Sequence, residues 1–160
     1  MKHGCITGLH KSVEMPIAAS QIFRRSDGGA FVIMNGSGHL EQALSATATI
    51  WGYVVIPQAY VSAGTNAAFF TSSATAGADR LPCIRAIDAE FLVPADDTAT
   101  QAQVGNLCDI VCVNDGTGQT ADIGTSTTDV LKISRLGTDV GGLSTDVVVK
   151  FNPAKLQADT

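Results

Sequence analysis

The chain has 160 residues, of which 45% are hydrophobic and only 16% charged, so a single domain with a substantial core is the default expectation. Leu, Glu and Lys are sparse while Ala, Thr, Ser, Gly and Val abound, which disfavours long helices and favours strands with small-residue turns. The net charge of −5 is unevenly split: residues 1–80 carry +1 and residues 81–160 carry −6, a poor match to a phosphate backbone and a good one to a water-facing surface.

Residues 1–20 show no clear periodicity and are broken by Gly4, Gly8 and Pro16. They read as an extended arm that orders only by lying on something. They hold no apolar core of signal-peptide length and no apolar run approaches membrane-span length, so synthesis in a reducing cytoplasm is expected, with the four cysteines as small buried hydrophobes. AFVIMN (30–35) predicts a strand, Asn35-Gly36-Ser37-Gly38 a turn, and HLEQAL (39–44) a returning strand. IWGYVVIP (50–57) is the strongest strand of the first half, ended by Pro57. Residues 58–80 are dominated by small side chains, with Tyr60, Phe69 and Phe70 as the only large anchors. So long a stretch without a pattern points to a functional or mobile segment.

PCIRAIDAEFLVP (82–94) reads as one strand, and ADDTATQAQVG (95–105) as the one short helix, capped by Asp96 or Asp97 and ended by Gly105. Then come three strands, CDIVCV, LKISRL and DVVVKF, the last two with period-2 alternation. The tail NPAKLQADT reads as polar and loose. The expected fold is all-β, a small antiparallel barrel or sandwich with an extended N-terminal arm (1–20) and a β-rich domain (21–160). That domain is read as one unit or as two packed lobes, about 21–80 and 81–155. No internal repeat is visible.

Motifs with chemical potential read more simply as structure. Gly116-x-Gly118-x-x-Ala121 follows an apolar strand, as a dinucleotide fingerprint does. The helix that would hold a pyrophosphate has no apolar face to form it, so a hairpin turn is preferred. Asn114, Asp115 and Asp122 lack EF-hand spacing. Cys108 and Cys112, four apart on a strand, would stand about 13 Å from each other, too far to share a zinc ion or a disulfide. His3, Cys5 and His10 have no evident fourth ligand. Asp88 and Glu90, two apart, read as a solvent-facing pair rather than a catalytic one. Neither a G-x-S-x-G elbow nor a G-K-[ST] phosphate loop occurs. Asn35-Gly36-Ser37 reads as a turn rather than a glycosylation site. Arg24-Arg25 is the one basic pair and aromatics are few, which disfavours a nucleic-acid binder. No cofactor, metal site or catalytic residue is expected, and the chain reads as a non-enzyme with no membrane partner.

The string ADDTATQAQVGNLCDIV, a Gly/Thr turn and LKISRLGTDVGGLSTDVVVKFN resembles the C-terminal β-domain of tailed-phage head decoration (cement) proteins. FVIMNGSGHLEQALSATATIWGYVVIP is similar to that family's early strand-turn-strand segment. The resemblance covers about two thirds of the chain and leaves out residues 1–20 and 58–80. It implies a virion protein on the capsid exterior, a homo-oligomer with a trimer favoured, bound to the major capsid protein and reinforcing the shell. The contact surface is expected on the arm, the residues just after it and the 58–80 loop: Ile17, Phe23, Arg24, Arg25, Tyr60, Phe69 and Phe70. Two alternatives stand beside it, another virion subunit such as a tail-tube or head–tail connector protein, and a small β-barrel enzyme or ligand-binding module.

Overall fold

A computed structural model describes residues 3–7, 10–57, 68–124, 127–138 and 141–158. It is all-β. Among the described residues thirteen strands are joined by turns, and helix is limited to three 3-10 segments, Arg25–Asp27, Gln101–Gln103 and Pro153–Lys155.

The C-terminal half is a closed five-stranded barrel. Its strands are β9 (Phe91–Thr100), β10 (Leu107–Val111), β11 (Thr120–Asp122), β12 (Leu131–Leu136) and β13 (Leu143–Phe151). They run in the order β9-β11-β10-β12-β13, and β13 returns to β9. The N-terminal half is a five-stranded curled sheet of β2 (Ser12–Pro16), β4 (Gly29–Met34), β5 (Leu40–Gln42), β6 (Gly52–Val55) and β8 (Arg80–Ile84), in the order β2-β8-β6-β4-β5. Its two ends meet where Ile17, just past β2, bridges Leu40 in parallel and the Ala18 amide donates to Leu40 O at 2.9 Å. Two strands stand apart as a ribbon, β3 (Ile22–Arg24) and β7 (Phe69–Thr71). The remaining strand, β1 (Gly4–Cys5), pairs with β9.

The two halves share one connectivity. In each, the first strand is antiparallel to the fifth and parallel to the third. The second lies between the third and fourth, and the fourth joins the fifth. The repeat absent from the letters is therefore present in the topology. It is carried by which strands pair, and any alternating apolar sequence can meet that requirement.

β4 and β6 read as continuous apolar runs because both of their faces are buried. Ala30, Val32 and Val54 fill the curled sheet with Ile17, Phe23, Leu40, Phe70 and Leu81. Phe31 and Tyr53, on the opposite face, enter the core of the other half and join Phe91 and Phe151. Their ring centroids lie 4.5–5.9 Å apart, mostly edge-on or tilted. Buried Gln119 reinforces this seam. Its Oε1 accepts from the Phe31 amide at 2.7 Å, and its Nε2 donates to Phe31 O and Ala43 O at 2.9 and 2.8 Å. The carboxamide thus bridges the Phe31 amide and the Ala43 carbonyl, while Phe31 O also accepts from the Ala43 amide at 2.9 Å.

Several expectations change. The segment read as an arm is extended, and what it lies on is the domain itself: β1 and β2 are sheet strands and Ile17 is buried. Residues 82–94 do not form one strand. β8 ends at Ile84, a turn exposes Ile87 and Asp88, and β9 begins at Phe91. The helix expected over 95–105 shrinks to Gln101–Gln103. Pairing with β13 draws Ala99 and Thr100 into β9, and Thr100 with Gln103 forms the cap instead of Asp96 or Asp97. The tail is not loose as far as Gln157. Ile50 N donates to Lys155 O and Gln157 N to Ile50 O, both at 2.8 Å, while the Gln157 side chain clasps Met34 N and O.

Phe31→Ala is expected to cost about 3–5 kcal/mol in denaturant unfolding, with both halves melting in one transition. Deleting residues 1–20 removes β1, β2 and the closing bridge. Loss of the β-sheet circular-dichroism signal is the expected outcome, whereas an arm independent of the core would leave it intact.

Candidate interaction surface

The β3–β7 ribbon brings most of the expected contact residues together. Phe23 pairs with Phe70 and Arg24 with Phe69. Strand alternation then divides them. Phe23 and Phe70 point inward, fully buried and stacked at 5.9 Å. They and Ile17 are core residues, out of reach of any partner, which corrects their reading as contact residues. Arg24 is exposed, and Arg25 and Phe69 are half-buried. Tyr60 lies outside the described residues.

The hairpin loop between β10 and β11 folds over this ribbon. Asn114 Oδ1 accepts from the Ile22 amide at 2.9 Å, and its Nδ2 donates to Ser20 O at 3.4 Å. Arg24 Nη1 donates to Thr117 O at 3.2 Å. Gly116, at φ +86°, lies so close to Phe69 that a Cβ there would stand 2.6 Å from the ring. Glycine is required on both counts. The result is an open cleft of about 600 Å³ lined by Arg24, Ser26, Ala68, Phe69, Gly116 and Thr117. Next in sequence to Ser26 of this lining is Asp27, which is buried. Burial pushes its carboxyl up, and the charges of Arg24 and His3 oppose that rise.

The glycines of the fingerprint-like motif thus serve a loop clamp. Ala121 sits buried in β11, where a dinucleotide site would need a helix. Asn114 is tied to the ribbon, Asp115 accepts from the Thr117 amide and hydroxyl at 2.9 and 2.7 Å, and Asp122 is a strand residue.

The other candidates separate. His3 Nε2 lies 2.9 Å from Asp146 Oδ1, whereas His10 lies 3.1 Å from Thr7 Oγ1 and 3.9 Å from Asp88. Glu90 lies 3.4 Å from Arg135 and 3.5 Å from Lys150, away from Asp88. Cys83, Cys108 and Cys112 are buried, and burial raises each thiol to about 12. Among the described residues no three His, Cys, Asp or Glu side chains converge as a metal site would require.

One group the sequence reading passed over is Asp109. It is buried on β10, and its carboxylate accepts from the Thr127 amide and hydroxyl, the Thr128 amide and the Asp129 amide at 2.6–3.1 Å. Burial alone would raise its pKa, but these hydrogen bonds overcome it and hold it at about 2. No motif announces this. A lone Asp in an apolar strand, CDIVCV, is the only trace.

Comparison with known proteins finds no family model, no curated protein and no solved structure that matches the chain.

Because Asp109 is more acidic folded than unfolded, its contribution is complete above the unfolded value and lost as pH falls from about 4 towards 2. The shift corresponds to roughly 2 kcal/mol. Asp109→Asn should remove most of that at neutral pH and flatten the acid limb of a stability-versus-pH curve measured by urea unfolding.

Proposed function

We propose that the protein is a structural virion component that binds the outer surface of an assembled phage capsid and reinforces it. The strand-and-turn spacing from Ala95 to Asn152, which resembles that of head decoration proteins, carries this reading. The cleft supports it: an exposed guanidinium beside a half-buried aromatic ring suits a protein partner, since Arg and aromatic residues dominate interface energetics. In this reading the partner is the major capsid protein, the location is the capsid exterior, and the chain has no catalytic role. Self-association of neighbouring copies belongs to the same proposal, because many small contacts repeated over a lattice add up to firm attachment.

A second reading is favoured by one observation. A cleft of about 600 Å³ is large enough for a small molecule, which would make the protein a ligand-binding module. A ligand that binds only the native state raises its melting temperature, so a thermal-shift screen separates this reading from the first.

The direct test mixes purified protein with undecorated capsids and images them by electron microscopy. Density at regular lattice positions is expected, and its absence refutes the proposal. Arg24→Ala should lower occupancy about tenfold, the loss of roughly 1.4 kcal/mol, with little change in melting temperature. Rings or tubes formed by the protein alone would point instead to a tail-tube or connector subunit.

A further inference from the structure

The shared connectivity of the two halves isolates one difference between them. In the C-terminal half the outer edge of the first strand is covered. β1 lies antiparallel on β9, with Gly4 opposite Leu92 and Cys5 opposite Phe91, and the Ile6 amide donates to Glu90 O at 2.9 Å. A few residues further on, Ala95 meets Ala121 of the third strand in parallel. In the N-terminal half Ile17 meets Leu40 in the same way. Counting back equally from that bridge places Glu14 and Val13 where Leu92 and Phe91 stand.

No strand covers them among the described residues: β2 pairs only with β8. Ser12, Val13 and Glu14 are all exposed, and Val13 presents 52% of its surface to water. The direction of the unpaired groups follows from the ladder. The Ile17 amide donates to Asp79 O, on the β8 side. Alternation turns Val13 and Met15 the same way and leaves the backbone groups of Ser12 and Glu14 facing outward. The Arg80 guanidinium donates to Glu14 O at 2.8 Å, which leaves that carbonyl a second lone pair.

We propose that this edge pairs antiparallel with the same edge of a second copy of the chain, across a twofold axis at Val13. Ser12 of each copy then faces Glu14 of the other, and their amides and carbonyls bond reciprocally. Val13 packs on Val13 of the second copy and removes an exposed apolar side chain from water. Alternation sets Lys11, just before the strand, opposite Met15 of the second copy on the Val13 face, and Glu14 opposite Ser12 on the other. Pro16 has no amide and ends the ladder there. An edge this short makes a weak, concentration-dependent pair. The contact involves copies of this chain alone and does not rest on capsid binding.

Sedimentation velocity over a concentration series, without capsids, tests it. A monomer–dimer equilibrium is expected. Ser12→Pro removes an outward amide and Val13→Lys sets two charges across the axis. Each should weaken dimerisation at least ~tenfold with the melting temperature unchanged. If Ser12→Pro does not fold, Val13→Lys decides alone. Hydrogen exchange should show the Ser12 and Glu14 amides protected only at high concentration. A monomer at every concentration overturns the inference. So does a trimer, or a dimer that survives these substitutions.

Discussion

Four aromatic rings hold this molecule together. Phe31 and Tyr53 leave the curled sheet, Phe91 and Phe151 leave the closed barrel, and all four meet in one buried cluster. Edge-on and tilted pairs of this kind contribute about 0.5–1.5 kcal/mol each beyond the area they bury. The cluster also explains why β4 and β6 have no polar face. Each strand serves two cores at once, so the two halves cannot be stable independently in the manner of beads on a string. Gln119 belongs to the same device. A polar side chain is admitted to the seam only because all three of its hydrogen bonds are made to backbone.

Around that seam, polar groups act mainly as fasteners. Asn114 ties a loop to the ribbon, Asp109 organises the turn that follows β11, and Gln157 clasps Met34. Arg85 spans Trp51 O and Gln157 O while its guanidinium lies 4.4 Å above the Trp51 ring. What is left for function is what these fasteners do not use. Arg24 is intermediate in this respect: it holds Thr117 O and still presents an exposed guanidinium beside Phe69.

The strands were legible in the sequence wherever a short apolar run or a period of two dominates. AFVIMN, IWGYVVIP, LKISRL and DVVVKF all become strands, and LKISRL buries Leu131 and Ile133 while exposing Lys132, as alternation requires. Pairing partners were not legible, because closure depends on contacts far apart in the chain. The Ile17–Leu40 bridge joins two residues with no special composition. The matched halves share a pairing order and not a spelling. The contact residues were half legible. The letters brought Phe23, Arg24, Phe69 and Phe70 to notice, but only their register in the ribbon tells which pair faces inward. The 95–105 helix failed for the opposite reason, when a weak local preference met a strong partner strand in β13.

β1 and residues 155–157 are fastened to opposite halves. β1 lies on the C-terminal barrel, and Lys155 to Gln157 lie on Ile50 and Met34 of the N-terminal sheet. A ribosome releases the N-terminal sheet first, with the inner faces of Phe31 and Tyr53 still uncovered. Neither Gln119 nor the barrel exists yet to shield them, and Gly4 and Cys5 wait for a β9 not yet made. The native state is therefore closed to the nascent chain until Gln157 has emerged. Synthesis of this protein passes through an interval in which a half-built sheet displays apolar surface, the circumstance in which a chaperone or a neighbouring nascent chain finds its grip.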